Sequence, residues 1–459
     1  MATDNRRRRR RRDAISLICL LCLSISNGFT FQSTSTGHST HPISTSILSA
    51  AVARNHETTK SIDINAESSS RITSFWKWRD HDIFTEVRTV TTETSVDGVE
   101  KPSVILLHGF GASTTYWRET MLVLQNGGYE VHALDLLGQG RSSKPFVTEG
   151  DGRISMKSIW KNGDGKVVDP NENQYDIQSM GKNSHTSVEY SINLWANMVD
   201  DYARHHQLNA VVLMGNSLGS LVALSVATGD FVHSTTLDDQ RDTQLFGYLA
   251  GNTDRDEQEA SKVKGICLFN CAVGLNSRNV IKNPCFSPLQ RSLFNLLFDV
   301  LNKLIFDNKL VLRYALDQIV TKQLLEDALR SLYICSPDRV DIELVDSFYY
   351  PAKLGGEGAV EAIRQIYTND AGLTPMEYHE KYEHILKSLP LHLIWGSEDA
   401  VTPINGDVGL FYCDRVANNR GGNGRTTIDI VKSGHVPFDD NPLDTHAAMM
   451  RWLDNSVMR

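Results

Sequence analysis

The sequence predicts an α/β protein with a mostly parallel central sheet. Two observations support this prediction: short, continuous apolar runs recur along the chain, and stretches with helical spacing of apolar residues separate them. A continuous apolar run of about five residues is typical of a strand that is covered on both faces, as the strands of a parallel sheet are. Strands that alternate with helices favour a layered arrangement with helices on both faces of one sheet.

We expect the ordered part of the chain to begin near Arg71. The segments Phe75–Trp78 and Ile83–Val90 are rich in aromatic and β-branched residues and alternate in polarity, which predicts two strands. Six continuous apolar runs predict the remaining strands, at Ser103–Leu107, Val131–Asp135, Ala210–Met214, Gly265–Asn270, Leu391–Trp395 and Thr427–Val431. The sequence therefore predicts a sheet of eight strands.

Three segments interrupt the alternation of strands and helices. Residues 146–187 and 229–262 are polar, and we expect both to be surface excursions rather than core. Residues 273–388 are helical and apolar, which predicts a cap between two strands of the sheet. The core then consists of residues 71–272 and 389–459.

The predicted cap carries an apolar stripe near helical spacing. Its members are Leu293, Phe294, Leu296, Leu297, Val300, Leu301, Leu304, Ile305, Leu310, Val311, Leu312 and Leu316. Such a stripe most often packs a helix onto its own domain, and this is our expectation here. Peripheral contact with lipid, or a pocket for an apolar substrate, is the alternative. Tyr349, Tyr350 and Tyr367 are cap tyrosines that either orient a substrate or simply pack.

Residues 1–70 have the composition of a targeting segment. Arg6–Arg12 precede the apolar run Ala14–Ile25, which is too short to span a bilayer of about 30 Å and is typical of a secretory signal. The Ser- and Thr-rich stretch that follows cannot bury enough apolar surface to fold alone. The whole segment resembles the two-part presequence of proteins imported into secondary plastids. We therefore expect a plastid location, with secretion as the alternative and no transmembrane helix in the mature protein.

Charge and cysteine content exclude several classes of protein. The net charge is −9, with seven of the positive charges inside Arg6–Arg12, so the body of the chain is acidic and unsuited to nucleic acid. Seven cysteines in 459 residues do not suggest a disulfide framework. Cys267 and Cys271 lack the second ligand pair of a zinc site. We expect no metal and no organic cofactor.

Residues Gly215–Gly219 have the pattern Gly-Asn-Ser-Leu-Gly and stand between a predicted strand and a predicted helix. In that setting Gly215 and Gly219 allow a sharp, strained turn that presents Ser217 above the carboxyl edge of the sheet. A chance match in a glycine-containing loop is the alternative. The flanking strand and helix favour Ser217 as a nucleophile.

A serine nucleophile needs a histidine that accepts its proton and a carboxylate that orients the histidine. Asp399 follows a buried strand, and His435 lies in a Gly-flanked loop after the last strand. Because no acid follows the strand that ends at Asn270, Asp399 is the expected carboxylate, with Glu398 as the fallback. For Asp399 taken alone, the alternative is an aspartate that caps a turn. For His435 taken alone, the alternative is a surface or core histidine without a catalytic role.

The reaction also needs donors for the oxyanion of the tetrahedral intermediate. One candidate is the backbone N–H of Leu218, directly after the serine. The other is the N–H of Phe110, since Gly109 and Gly111 on either side allow the backbone to approach a ligand closely.

These motifs together resemble the α/β-hydrolase superfamily. They are His108–Gly111, Asp135–Ser142, Gly215–Gly219, Trp395–Asp399 and Gly434–His435, and the resemblance runs from about Phe75 to the C-terminus. Three further features are similar to the chloroplast serine hydrolases of the pheophytinase and chlorophyll-dephytylase group. They are the segment Phe75–Trp78 near the start of the ordered part, the segment Gly138–Pro145 and the helical cap.

The resemblance implies an α/β-hydrolase fold and a carboxylic-ester hydrolase that acts on an apolar ester, such as a phytyl ester of a chlorophyll derivative or a lipid-like ester. Epoxide hydrolases share the scaffold but use aspartate where this chain has Ser217, so their chemistry is not expected. Two alternatives stay open. One is a receptor-like binding protein with slow turnover, and the other is a cofactor-free peroxidase that uses the same three residues.

Overall fold

The computed structural model describes residues 71–90, 101–145, 188–234, 247–251, 261–282, 286–418 and 426–458. The predicted targeting segment 1–70 and the first polar insertion, 146–187, lie outside these residues. The described part has the predicted architecture: an eight-stranded, mostly parallel sheet with helices on both faces.

The sheet has the strand order β1-β2-β4-β3-β5-β6-β7-β8. Strands β1 and β2 form an antiparallel hairpin, β2 pairs antiparallel with β4, and all remaining pairs are parallel. The strand bounds are β1 Arg71–Trp78, β2 His81–Arg88, β3 Ser103–Leu107, β4 Val131–Leu134, β5 Val211–Asn216, β6 Val263–Phe269, β7 Leu391–Gly396 and β8 Thr426–Val431. The central strands β5 and β7 are buried along their whole length, which explains why their sequences are continuous apolar runs rather than alternating ones.

Thirteen α-helices occur in the described part of the chain. They are α1 Arg118–Asn126, α2 Ile192–His205, α3 Leu218–Thr228, α4 Pro288–Leu301, α5 Lys309–Tyr314, α6 Lys322–Arg330, α7 Ile342–Leu354, α8 Gly356–Thr368, α9 Pro375–Lys381, α10 Glu383–Leu386, α11 Asp407–Ala417, α12 Pro437–Asp440 and α13 Pro442–Trp452. Two apolar cores lie on opposite faces of the sheet. Helices α2 and α3 contribute Trp195 and Leu221 to one core, whereas α1 and α13 contribute Met121 and Trp452 to the other.

The second polar insertion, 229–262, is not wholly a surface excursion. Its described ends, residues 229–234 and 247–251, carry Phe231 and Leu249, and both side chains are buried in the core beside α2. The backbone N–H of Leu249 donates to the buried Asp200 carboxylate at 2.7 Å. The expectation of a pure surface segment was wrong at these ends because two apolar side chains are enough to fix them to the core.

Helices α4 to α8 form the cap, which the chain inserts between β6 and β7. Helices α9 and α10, which the sequence placed in the cap, instead pack on α3 of the core through Tyr378, Tyr382 and Leu386. The apolar cap therefore ends before residue 388.

The expected packing of the apolar stripe onto its own domain is correct only in part. Leu312 and Leu316 are buried with Phe306 against α8. Helix α4, however, has no buried residue. Seven members of the stripe are exposed along α4, the turn after it and the start of α5: Leu293, Leu296, Leu297, Val300, Leu304, Leu310 and Val311. Among the helices that the structure describes, none is both long and apolar enough to cross a membrane.

Candidate active site

Ser217 lies at the sharp turn between β5 and α3. Its backbone has φ +52° and ψ −117°, a strained combination for a residue with a side chain. The turn is possible because its flanks are glycines: a Cβ on Gly215 would lie 2.2 Å from the carbonyl oxygen of Gly219. A Cβ on Gly219 would lie 2.1 Å from the carbonyl oxygen of Leu107, so α3 crosses β3 at backbone contact. The N-terminus of α3 begins directly after Ser217.

His435 and Asp399 form a buried pair behind the carboxyl edge of the sheet. The Nδ1 atom of His435 lies 2.9 Å from Oδ2 of Asp399. Glu398, the fallback carboxylate, is exposed and takes no part in this contact. The pairing fixes the imidazole orientation and puts the proton on Nδ1, since the carboxylate can only accept.

Two polar side chains that the sequence analysis did not single out complete the surroundings of Asp399. Asn270, directly after β6, donates through Nδ2 to Oδ2 of Asp399, and the hydroxyl of Thr402 donates to the same oxygen at 2.6 Å. Burial alone would raise the pKa of the Asp399 carboxyl, but His435 and these two donors outweigh it and lower the pKa to about 2. The only sequence signal for Asn270 is its position at the end of β6, where some α/β hydrolases carry the acid of the triad and this chain carries none.

The loop that carries His435 is fixed from the core and from the cap. Asn216, next to the serine, donates through Nδ2 to the carbonyl oxygen of His435 at 3.2 Å. The N–H of His435 donates to the carbonyl oxygen of Leu332, which follows cap helix α6, at 3.1 Å. Asp440 is fully buried and accepts the N–H of Gly434 at 2.7 Å. The carboxylate of Asp440 also accepts the N–H groups of three cap residues, which are Ile334, Cys335 and Ser336.

Ser217 and His435 line one cavity with a volume of about 270 Å³ between the sheet edge and the cap. Within the described residues, no hydrogen bond joins the Ser217 hydroxyl to the imidazole. The cavity wall is mostly apolar and includes Leu275, Leu329, Phe348, Ile366 and Val436. Of the three cap tyrosines considered above, Tyr367 lines the cavity, whereas Tyr349 and Tyr350 lie against Lys322 instead.

The loop after β3 faces Ser217. A Cβ on Gly109 would lie 3.2 Å from the Cβ of Ser217, so a side chain there would crowd the serine. The N–H of Gly109 donates to the Tyr116 hydroxyl at 2.6 Å, and the N–H of Gly111 donates to Oε1 of Gln139 at 2.7 Å. The intervening N–H of Phe110 has no acceptor among the residues described, and neither has the N–H of Leu218.

His108 supports this loop from below. Its Nδ1 lies 2.7 Å from the carbonyl oxygen of Gly109, and its Nε2 accepts the N–H of Leu136 at 2.9 Å. Burial lowers the pKa of His108, which agrees with a neutral ring that donates from one nitrogen and accepts at the other. This histidine therefore holds the loop after β3 to the loop after β4.

The described residues contain no cluster of three or more His, Cys, Asp or Glu side chains that is placed to hold a metal ion. Cys267 in β6 and Cys271 just after that strand are buried free thiols, and burial raises the pKa of both. They pack as small apolar side chains.

A serine at a strained strand-to-helix turn, beside a buried His–Asp pair on a mostly parallel sheet, defines the class of α/β hydrolases. The chain belongs to the Alpha/beta hydrolase family, whose sequence model matches residues 104–448.

Individual relatives are more distant. The chain is 26% identical over 189 residues to "Pheophytinase, chloroplastic" from Arabidopsis thaliana, a stretch that covers 38% of this chain and 35% of that protein. The chain thus matches about a third of the length of that relative. Among solved structures, the epoxide hydrolase VrEH1 from Vigna radiata superposes with a TM-score of 0.50 at 14% identity, over 85% of this chain and 99% of that one. Cfl2 from Burkholderia cenocepacia gives a TM-score of 0.48 at 14% identity, over 86% and 98%. At 14% identity, the VrEH1 structure shows the shared fold alone.

Proposed function

We propose that the protein is a carboxylic-ester hydrolase that works through an acyl-enzyme intermediate. In this proposal the Ser217 hydroxyl attacks the ester carbonyl, and Nε2 of His435 takes the hydroxyl proton and passes it to the leaving alkoxide. Water then attacks the acyl-enzyme with His435 as general base, which releases the acid and restores Ser217. The observation that carries the proposal is the buried hydrogen bond between His435 and Asp399 beside a cavity that Ser217 also lines.

The charge of the tetrahedral intermediate would be stabilised by the backbone N–H groups of Phe110 and Leu218. Support comes from their neighbours, since the N–H groups of Gly109 and Gly111 are already bonded within the protein. One such donor is worth about 3 kcal/mol of transition-state stabilisation in related chemistry.

The proposed substrate is an apolar ester, such as a phytyl ester of a chlorophyll or pheophytin, or a lipid-like ester. The mostly apolar wall of the cavity favours such a substrate, and the resemblance to chloroplastic pheophytinase points the same way. A serine in place of the nucleophilic aspartate of epoxide hydrolases argues against epoxide opening.

The test is the substitution Ser217→Ala. We expect turnover of a nitrophenyl ester, and release of phytol from pheophytin, to fall by about 10⁴-fold or more, because no other side chain can form the acyl-enzyme. Ser225→Ala is the matched control on α3, since its hydroxyl donates to Asn193 of α2 and the residue does not line the cavity. Unchanged turnover in Ser217→Ala would refute the proposal. A single turnover with no steady state in the wild type would instead indicate the receptor-like alternative.

We also propose import into a plastid, supported by the composition of residues 1–70 and by the chloroplastic relative. A fusion of residues 1–75 to a fluorescent protein should accumulate in the plastid. Fluorescence in the medium or in the nucleus would contradict this location.

A further inference from the structure

Tyr116 lies between the two loops that flank the candidate nucleophile. It belongs to the short 3₁₀ helix Thr114–Trp117, and its side chain is buried and lines the cavity. Its hydroxyl accepts the N–H of Gly109 in the loop after β3. Its ring meets the ring of Phe438, three residues after His435, with the two centroids 5.0 Å apart. One side chain therefore contacts both loops.

A chain of hydrogen bonds runs from the loop after β3 through Tyr116 and Asn216 to the loop that carries His435. The direction of each bond follows from the buried amide of Asn216. Its Nδ2 group donates to the carbonyl oxygens of Phe269 at 3.1 Å and His435 at 3.2 Å, and carbonyl oxygens can only accept. Its Oδ1 atom therefore faces the Tyr116 hydroxyl, which donates to it at 3.3 Å and accepts the N–H of Gly109 at 2.6 Å.

The Tyr116 hydroxyl is suited to this place because it both donates and accepts. Burial raises the pKa of Tyr116 well above its ordinary value, so the hydroxyl keeps its proton. A neutral hydroxyl can join the N–H of Gly109 to the amide oxygen of Asn216, whereas a purely donating or purely accepting group cannot. Phenylalanine at this position would keep the ring and remove both hydrogen bonds.

The chain also fixes the direction of the Phe110 N–H. This N–H shares a planar, trans peptide with the carbonyl of Gly109, so the two groups point in opposite directions. Nδ1 of His108 holds that carbonyl at 2.7 Å, while Tyr116 holds the N–H of the preceding peptide. A Cβ on Gly109 would lie only 3.2 Å from Oδ1 of Asn216. A displacement of the Asn216 amide would therefore be transmitted to the loop.

We propose that Tyr116 and Asn216 are positioning residues that hold the Phe110 N–H and His435 in fixed places relative to Ser217. They act through the backbone of the two loops and not through a bond to the substrate. The inference rests on the proposed esterase function, since acyl transfer needs the base and the oxyanion donor in place at the same moment. A loosened chain would slow the attack on a bound ester without weakening its binding.

A purely structural role for the two side chains is the alternative. Loss of a buried hydrogen bond would then lower the free energy of unfolding, but each folded molecule would still work at the full rate. The two roles therefore differ in kcat of the folded protein, and not in stability.

The first experiment compares Tyr116→Phe with the matched control Tyr202→Phe. Tyr202 lies on α2 in the core, and its buried hydroxyl is 2.9 Å from Nδ1 of His132, so the control also loses a buried hydrogen bond. We expect kcat of Tyr116→Phe to fall about 10- to 100-fold with KM within about twofold of the wild type, whereas Tyr202→Phe keeps wild-type kcat. Equal kcat in the two variants would overturn the proposal. A change confined to KM would do the same, because it would indicate a contact with the substrate.

The second experiment does not depend on steady turnover. A fluorophosphonate probe forms a bond between Oγ of Ser217 and phosphorus, while fluoride leaves and His435 takes the serine proton. This step needs the base and the oxyanion donors but no release of an acyl group. We expect the rate constant of labelling to fall in Tyr116→Phe by about the same factor as kcat, and to stay at the wild-type value in Tyr202→Phe.

The outcomes of this labelling separate the present inference from the esterase proposal. Labelling of Tyr116→Phe at the wild-type rate would contradict the positioning role alone. A wild type that is labelled no faster than Ser217→Ala would refute the proposed nucleophile, and the positioning role would fail with it.

The third experiment tests whether the two residues act through one chain. If they do, the loss of kcat in Tyr116→Phe/Asn216→Ala is smaller than the product of the losses in the two single variants. Losses that multiply would show that the residues act separately, against the proposal. If Asn216→Ala does not fold, the first two experiments decide the matter, since Tyr116→Phe keeps the packing of the ring.

Discussion

Four hydrogen-bond donors surround the carboxylate of Asp399. Its carboxylate is buried and accepts hydrogen bonds from His435, Thr402 and Asn270, and a further one from the N–H of Val401 at 2.7 Å. This set of donors keeps the carboxyl ionised, with a pKa of about 2, although burial opposes ionisation. An ionised acceptor at this point holds the Nδ1–H tautomer of His435, which leaves Nε2 free to accept a proton.

The substitution Asp399→Asn tests this role. An amide at the same place offers an N–H group to side chains that are themselves donors, and it no longer selects the required tautomer of His435. We expect kcat to fall about 10³- to 10⁴-fold with little change in KM. The neighbouring exposed residue supplies the control, since Glu398→Gln should keep wild-type kinetics. The prediction is wrong if the two variants lose activity equally.

At the scale of elements, the close crossing of β3 and α3 positions the serine. Gly219 sits where any Cβ would overlap the backbone of Leu107, and backbone cannot move aside as a flexible side chain can. Gly111 differs because it has φ +73° but open space around its Cα. The two glycines are thus required for different reasons, contact in one case and backbone conformation in the other.

This difference predicts unequal costs for alanine. Gly219→Ala should destabilise the protein by more than about 3 kcal/mol, or prevent folding, because β3 and α3 must separate. Gly111→Ala should cost about 1 kcal/mol, the penalty of a left-handed backbone for a residue with a Cβ. Urea denaturation of both variants measures the difference. Similar losses of stability would show that the crossing is more compliant than its geometry indicates.

At the scale of the whole molecule, Lys144 lies where the core meets the cap. Its carbonyl oxygen would be 2.1 Å from a Cβ on Gly358, so cap helix α8 rests on the backbone of the loop after β4. The ammonium group is buried and donates to the carbonyl oxygens of Gly140 at 2.6 Å and Ser142 at 3.2 Å. Burial lowers the pKa of Lys144 to about 7, although Asp135 opposes the shift.

A buried lysine with a depressed pKa makes stability depend on pH. Above pH 7 the folded protein holds Lys144 neutral while the unfolded chain, with a pKa near 10.4, binds the proton. The unfolded state therefore binds more protons, and the free energy of unfolding rises with pH between about 7 and 10, by at most about 1.4 kcal/mol per pH unit. Below pH 7 Lys144 is protonated in both states, so the full cost of burying its charge lowers the free energy of unfolding.

The variant Lys144→Met should lack this contribution. We expect the free energy of unfolding, measured by urea denaturation, to increase more in the wild type than in Lys144→Met as pH rises from 7 to 9. Lys264→Met is the control, because Lys264 is exposed and its removal should leave the pH dependence unchanged. Parallel pH profiles of the wild type and Lys144→Met would contradict the prediction.

Local sequence patterns were enough to predict the sheet, the positions of its strands along the chain and the turn at Ser217. These features depend on local patterns: continuous apolar runs form strands covered on both faces, and glycines two residues either side of a serine allow a sharp turn between a strand and a helix. The choice of Asp399 over Glu398 also followed from the chain, and the structure pairs Asp399 with His435, although its catalytic role is still a prediction.

The groups that surround this pair, and the apolar surface that the cap leaves exposed, depend on tertiary contacts that local sequence patterns do not show. Asn270 and Asp399 are separated by 129 residues in sequence, and no local pattern indicates that the Asn270 amide reaches the carboxylate of Asp399. The periodicity of the cap sequence predicts that its apolar stripe packs onto the same domain. Periodicity shows that a helix has an apolar face, but it does not show whether a partner covers that face. Burial is a property of the assembled fold, and for α4 that fold leaves the outer face uncovered.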